Sequence, residues 1–153
     1  MNIRRIFVLV LMVLLLTSTC LQPVHANEIN IRYTAQPIHI SDLGVLPSQN
    51  IASYSSSIIG KNTQTKPAYL TIAGDYVGTV TLHYETEMRS GRPQFIYETC
   101  NFTWDLRGLP DAYALQMPNV EYTNDYIKIT FTVSAGLLND TITLGYYAYG
   151  TPD

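Results

Sequence analysis

Apolar and polar residues alternate with a period of two along much of this chain, which is the spacing of strands that bury one face. The pattern is clearest over residues 126–134, where the residues that share one face are Ile127, Ile129, Phe131 and Val133. Thr, Lys and Ser fill the alternate positions. We predict a half-buried strand here, with its apolar face against a core.

The same alternation, rich in Thr, Val, Ile and Tyr, predicts further strands and no long helix. The clearer candidates cover residues 28–34, 79–84, 97–106 and 141–146. Weaker candidates cover residues 37–41, 67–72 and 120–122. Residues 46–65 are rich in Ser, Asn, Gln and Thr, so we expect a long surface loop there, with one short edge strand at most.

About eight short strands without a long helical segment indicate an all-β fold. We predict a single antiparallel β-sandwich, immunoglobulin-like in the loose sense that two sheets pack face to face. A small β-barrel is the alternative architecture.

One sequence phrase occurs twice, at an offset of 62 residues. Residues 73–84 read AGDYVGTVTLHY, and residues 135–146 read AGLLNDTITLGY. Either the chain contains two related halves, or two hairpins of one fold have converged on similar sequences. Both interpretations predict a β-hairpin at each segment, with a half-buried TxTL strand.

The first of these phrases, AGDYVGTVTL at residues 73–82, resembles a hairpin of bacterial surface β-sandwich modules. The families with this hairpin include pilin-like and spore-coat-protein-U-like domains. The resemblance covers about a dozen residues of the chain. It implies a bacterial exported β-sandwich.

The first 26 residues have a different pattern. Two arginines precede an unbroken apolar run, residues 6–16, and a short polar stretch then ends in V-H-A at residues 24–26. This is the layout of a secretory signal peptide, and the run is shorter than the roughly 18 apolar residues that a membrane span needs. We therefore expect a signal peptide at residues 1–26 and one mature domain at residues 27–153. The mature chain would be secreted, extracellular or periplasmic, without a transmembrane segment.

Cysteine usage follows from that cleavage. Cys20 lies in the signal peptide, so the mature chain retains Cys100 alone and forms no internal disulfide. The alternation places Cys100 on a core face, where a thiol is inert; an exposed thiol would instead link two chains. Lipid attachment at Cys20 is the rival interpretation of the N-terminus, but Thr17 and Thr19 fit that motif poorly.

Charge disfavours two classes of partner. The predicted mature chain has seven Lys and Arg against twelve Asp and Glu, a net charge of −5, and its basic residues are scattered. No basic stripe is present to follow a phosphate backbone, so we predict no nucleic-acid binding. Attraction to anionic lipid is disfavoured for the same reason.

The residues show no catalytic or metal-binding constellation. The mature chain has two histidines, His39 and His83, and no G-x-S-x-G motif. His83, Glu85 and Glu87 alternate on one strand face, but neighbours on one face lie about 7 Å apart, so we expect a solvated strand end there. We predict no catalytic residue, metal or cofactor, and hence no enzyme.

The leading functional hypothesis is contact with other protein subunits, as a structural, pilus-like or adhesive subunit of the cell surface. A sandwich has edge strands, and unpaired edges are templates for strand addition. The donated strand would be residues 29–33 or residues 141–149. The partner would be another subunit or a second copy of this chain.

The alternative is a carbohydrate-binding module, because aromatic rings exposed on a β-sandwich stack on the apolar face of a sugar. The candidate ligand contacts are Tyr113, Tyr122, Tyr147 and Tyr149. Trp104 is not among them, since its strand neighbours are predicted core residues. Packing in the core or at a strand edge is the competing interpretation of these tyrosines.

Overall fold

The computed structural model of the protein describes residues 32–34, 36–45 and 58–150, with the backbone alone for residues 58 and 59. The predicted signal peptide and residues 46–57 of the predicted loop lie outside the described residues. Within them, no helix is long and apolar enough to cross a membrane.

Nine strands run through the described residues. In chain order they are β1 (Ile38–His39), β2 (Ile58–Tyr69), β3 (Tyr76–Arg89), β4 (Arg92–Phe95), β5 (Asn101–Asp105), β6 (Ala114–Leu115), β7 (Asn119–Tyr122), β8 (Tyr126–Ala135) and β9 (Leu138–Tyr147). Two short 3₁₀ turns lie at Ile40–Leu43 and Tyr97–Thr99.

The strands form two antiparallel sheets. The first has the order β1-β5-β3-β2, and β4 also pairs with β3. In the second, β8 pairs with β6, β7 and β9, and β9 follows it over its full length. The sheets do not close into a barrel, so the predicted all-β sandwich is confirmed.

The core lies between the two sheets and is built from the alternate residues that the sequence pattern indicates. All four apolar residues of the 126–134 pattern are completely buried. From the first sheet they meet residues of β3 and β5, chiefly Val80, Leu82, Phe102 and Trp104. The ring of Trp104 packs edge-on against Phe131, with centroids 5.2 Å apart, and this contact joins the sheets.

The prediction of a loop over residues 46–65, with one short edge strand at most, underestimates the strand, because residues 58–65 form most of the 12-residue edge strand β2. Alternation is hard to see in β2, since its inward positions are polar. Asn62 donates to Thr86 Oγ1 at 3.4 Å, and Gln64 donates to the Tyr84 hydroxyl. Lys66 lies 5.5 Å from the centroid of a buried tyrosine ring. An edge strand tolerates such a polar row.

The strand predicted over residues 97–106 begins only at Asn101. Residues 97–99 form a 3₁₀ turn, in which the Thr99 hydroxyl donates to Ile96 O at 2.7 Å and accepts from Glu85 N at 2.9 Å. The sequence carries a sign of this break, because Glu98 falls on the otherwise apolar face.

The remaining strand predictions agree with the structure to different extents. Residues 79–84 and 141–146 lie within the longer strands β3 and β9, and residues 120–122 within β7. Of residues 67–72, the first three end β2, and the chain then turns. Of residues 37–41, only Ile38 and His39 are strand, before a 3₁₀ turn.

The predicted first strand, residues 28–34, is described only from Arg32 onward. Residues 32–34 lie along β5: Leu106 N donates to Arg32 O at 2.8 Å, and Thr34 N donates to Trp104 O at 3.0 Å. The Arg32 guanidinium fixes this segment by donating to three carbonyl oxygens and one carboxylate, those of Leu109, Pro110, Tyr113 and Asp111. The N-terminal segment therefore covers the edge of β5 within its own chain.

Both repeated phrases form β-hairpins, as predicted. One is β2 and β3 joined by residues 70–75, and the other is β8 and β9 joined by residues 136–137. Each TxTL strand is half buried, with Val80 and Leu82 inward in β3 and Ile142 and Leu144 inward in β9. However, β3 is an inner strand of its sheet, whereas β9 pairs only with β8. These unequal positions favour convergence over duplication.

Candidate ligand-binding surface

The structure separates the four tyrosines predicted as ligand contacts. Tyr147 and Tyr149 lie side by side, with ring centroids 5.3 Å apart. Tyr113 is half-buried and packs against the core. It also holds the N-terminal segment, because its carbonyl oxygen accepts a hydrogen bond from Arg32.

The expectation that Tyr122 is exposed is wrong, since only 7% of it is accessible. Its hydroxyl donates to Phe95 O at 3.1 Å, and its ring packs edge-on against Tyr97. Burial raises the pKa of Tyr122 above its ordinary value, and the neighbouring Cys100 and Glu98 add to this. The sequence does contain an indication that Tyr122 is buried, because Val120, two residues earlier, shares the inward face of β7.

A third ring lies beside Tyr147 and Tyr149. Tyr126 lies opposite Tyr147 in the β8–β9 register, with ring centroids 4.7 Å apart and planes inclined at 44°. We call Tyr126, Tyr147 and Tyr149 the tyrosine cluster. Alternation places Tyr126 on the outward face, but its pairing with Tyr147 depends on strand register, which the sequence did not show.

Gly145 makes room for this arrangement. A methyl group at position 145 would lie 2.5 Å from the hydroxyl oxygen of Tyr126 and 2.8 Å from one of its ring carbons. The Tyr126 ring therefore lies over Gly145, where any larger residue would displace it. Glycine within a strand commonly marks such a close approach.

Hydrogen bonds fix the backbone on both sides of the tyrosine cluster. Before β8, Tyr126 N donates to the Thr123 hydroxyl at 3.0 Å, and Thr123 N donates to Tyr126 O at 2.8 Å. After β9, Ala148 N donates to Asp125 O at 2.9 Å. From the other sheet, Gln64 Nε2 donates to Tyr147 O at 3.1 Å. The backbone that carries the three rings is therefore fixed by hydrogen bonds on both sides.

Charged groups lie beside the rings. Lys128 is opposite Gly145 in the strand register, and its ammonium group lies 2.9 Å from the Glu121 carboxylate. Just before β8, the Thr123 hydroxyl donates to the Asp125 carboxylate at 3.1 Å. The surface therefore combines apolar ring faces with hydrogen-bonding groups, the composition that binds amphipathic ligands.

The alternating acidic row on β3 does not form the expected solvated face throughout. His83 lies 3.1 Å from the Thr63 hydroxyl, and Glu85 lies 3.6 Å from Lys61. The prediction that Glu87 is solvated is wrong, because only 4% of it is exposed, and its carboxylate pairs with an arginine two residues later. No three or more His, Cys, Asp or Glu of the described chain come together in a metal-binding group.

Cys100 is completely buried, and its thiol donates to Ile96 O at 3.4 Å. Burial raises the pKa of the Cys100 thiol to about 12. Both histidines lie opposite Asn101 in the strand register, on the outer face of the first sheet. A thiol–imidazole pair is therefore excluded, because Cys100 points to the other face.

The family models, the curated proteins and the solved structures contain no match to this chain. The likeness of residues 73–82 to surface β-sandwich hairpins therefore stays a prediction. The functional conclusion depends on the geometry of the tyrosine cluster.

Proposed function

We propose that the protein is an exported, non-enzymatic module that binds carbohydrate through the tyrosine cluster. The observation that carries this proposal is the adjacency of Tyr126, Tyr147 and Tyr149 on the outer face of the second sheet. Tyr149 is 55% exposed, and the other two rings are half-buried. Ring faces at such a surface can cover the C–H face of a pyranose.

The three tyrosine rings form one packed aromatic group. Successive ring centroids are 4.7 Å and 5.3 Å apart, and the ring planes are inclined at 44° and 36°. Rings at these distances pack against one another, so part of each ring face is covered by its neighbour, and a sugar would stack on the outward part of the cluster. Lys128, Glu121 and Asp125 at its margin offer partners for sugar hydroxyl groups.

The charge balance favours a neutral glycan. The predicted mature chain has a net charge of −5, and Lys128, the cation on the neighbouring strand pair, is already paired with Glu121. An anionic glycan would therefore meet net repulsion from the negative charge of the chain.

Strand donation is less well supported by the geometry. Residues 141–147 of the predicted donor are paired along β8 of the same chain, and residues 32–34 lie along its own β5. The edge strand β2 contains Lys61, Lys66 and Pro67, residue types that hinder pairing with a further strand. We therefore favour the carbohydrate hypothesis over assembly by strand addition.

Retention on neutral polysaccharides tests the proposal. We expect purified protein to be retained on at least one of cellulose, chitin and starch, and the double variant Tyr147→Ala/Tyr149→Ala to lose that retention. Tyr76→Ala is the matched control, because Tyr76 is equally exposed but pairs with Tyr69, away from the cluster. Undiminished retention of the double variant, or no retention on any neutral glycan, would contradict the proposal.

A further inference from the structure

A second unusual surface lies at the other end of the β8–β9 hairpin. The turns of the two hairpins, with the first residue of β9, expose three large aliphatic side chains: Ile72 is 79% exposed, Leu138 is 72% exposed, and Leu137 is fully exposed. We call these three residues the aliphatic tip. Turn residues are ordinarily small or polar, and clustered exposed apolar side chains mark interaction sites.

Hydrogen bonds hold the two turns side by side. Thr71 N and the Thr71 hydroxyl both donate to Thr141 O at 2.8 Å. The carboxylate of Asp140 accepts from Ile72 N at 3.0 Å and from Ala73 N at 3.2 Å. The aliphatic tip therefore belongs to one ordered surface, although its residues come from different sheets.

Two tyrosines lie directly behind the first turn. Tyr69 and Tyr76 pair across the hairpin, with ring centroids 5.6 Å apart, and each ring is about half exposed. From the end of the molecule inward, the order is thus aliphatic side chains and then tyrosine rings. Side chains follow this order at a bilayer surface, where aliphatic groups enter the hydrocarbon and tyrosines lie at headgroup level.

We propose that the aliphatic tip inserts into the surface of a lipid bilayer, with Tyr69 and Tyr76 at the level of the headgroups. A stable protein interface needs about 800 Å² from each partner, which three side chains and two partly covered rings do not provide. Shallow insertion into lipid needs no such area, because the bilayer closes around each side chain.

The charges around the tip identify the type of bilayer. Residues 69–76 and 136–141 contain no Lys or Arg, and they contain Asp75 and Asp140. Nothing there attracts an anionic headgroup. The tip therefore suits zwitterionic phospholipid, and its binding depends on apolar transfer, which salt does not screen.

The tip and the tyrosine cluster are independent surfaces. Tyr126 begins β8, and Ala135 ends it, nine residues later. At about 3.4 Å per residue, about 30 Å of strand separates the two ends. A variant of either surface is therefore a matched control for the other.

Co-sedimentation with phosphatidylcholine vesicles tests the inference. We expect purified protein to sediment with the vesicles equally at low and high salt. The variants Leu137→Ser/Leu138→Ser and Ile72→Ser, on different turns, should each weaken partitioning, the double variant by about tenfold or more. The double variant Tyr147→Ala/Tyr149→Ala should partition like the unchanged protein.

Three results would overturn the inference. The first is no partitioning into phosphatidylcholine vesicles, and the second is undiminished partitioning of both tip variants. The third is a dimer in sedimentation equilibrium that Leu137→Ser/Leu138→Ser dissociates, since the tip would then be covered by a second copy of the chain. None of these results bears on carbohydrate binding, which depends on the opposite end.

Discussion

At the scale of single residues, the candidate site depends on a glycine, which has no side chain. Gly145 leaves space for the Tyr126 ring, and a methyl group there would overlap the ring and its hydroxyl. The overlap is with the mobile end of a side chain and not with backbone. The fold can therefore accept a larger residue at this position, whereas the cluster cannot.

We expect Gly145→Ala to weaken glycan binding about fivefold to tenfold, which corresponds to one displaced aromatic contact of about 1 kcal/mol. The unfolding temperature should change little. Titration with a bound oligosaccharide, followed by thermal unfolding, measures both effects. Thr143→Ala, on the same face of β9, is the control. Equal affinities of Gly145→Ala and the unchanged protein would show that the position of Tyr126 is irrelevant.

The chemistry of Cys100 is also decided by its surroundings. Burial raises the pKa of its thiol to about 12, so the reactive thiolate is scarce at neutral pH. We expect no reaction of the folded protein with a thiol reagent near neutral pH and complete reaction in guanidinium chloride. Rapid modification of the folded protein would contradict this account and revive the hypothesis of a disulfide between two chains.

At the scale of elements, the pattern of apolar positions locates strands only where their inward face is apolar. β8 is evident from Ile127 to Val133 because every second residue enters the core. The sequence pattern does not indicate β2, because polar residues occupy its inward positions. Asn62, Gln64 and Lys66 contact polar or aromatic side chains of other strands there. Those partners are distant in sequence, so no local pattern reveals them.

The contact between the two hairpins depends on Asp140. Burial raises the pKa of its carboxyl group, but hydrogen bonds from the N–H groups of Ile72, Thr141 and Ala73 lower it by more. The net pKa lies below the ordinary value. The carboxylate therefore stabilises the fold above its ordinary pKa of about 4, and this stability is lost as the pH falls through the lower folded value.

We expect Asp140→Asn to lower the free energy of unfolding by about 1 kcal/mol near neutral pH, because a charged acceptor of backbone N–H groups becomes neutral. The difference between the variant and the unchanged protein should shrink as the pH falls below about 4. Urea unfolding at a series of pH values measures it. A difference that stays constant across this range would mean that the charge of Asp140 makes no contribution.

At the scale of the whole molecule, the sandwich places two surfaces at opposite ends of one hairpin. Tyr147 and Tyr149 could be identified from the sequence as an outward pair near the end of a strand. Tyr126 could not be added, because its contact with Tyr147 depends on the register of β8 against β9. The prediction that Tyr122 is exposed is wrong. Tyr122 shares the inward face of β7 with Val120, and this face is identified only once β7 is paired with β8.

The aliphatic tip depends on tertiary structure in the same way. Ile72 and Leu138 are 66 residues apart in the sequence, and a single exposed aliphatic residue at or beside a turn does not by itself indicate a surface. The bonds from Thr71 and Ala73 to the β9 strand bring their turns together. Composition could exclude a basic surface, but it could not show where apolar residues would gather.

The most direct test of the central claim is a glycan titration followed by NMR on protein with labelled tyrosine rings. Tyr→Phe variants assign the ring signals. At saturation with a neutral oligosaccharide, we expect the signals of Tyr126, Tyr147 and Tyr149 to shift while those of buried Tyr122 and Tyr146 stay in place. Unchanged cluster signals with saturating ligand, or shifts confined to other tyrosines, would contradict the claim that this cluster is the binding surface.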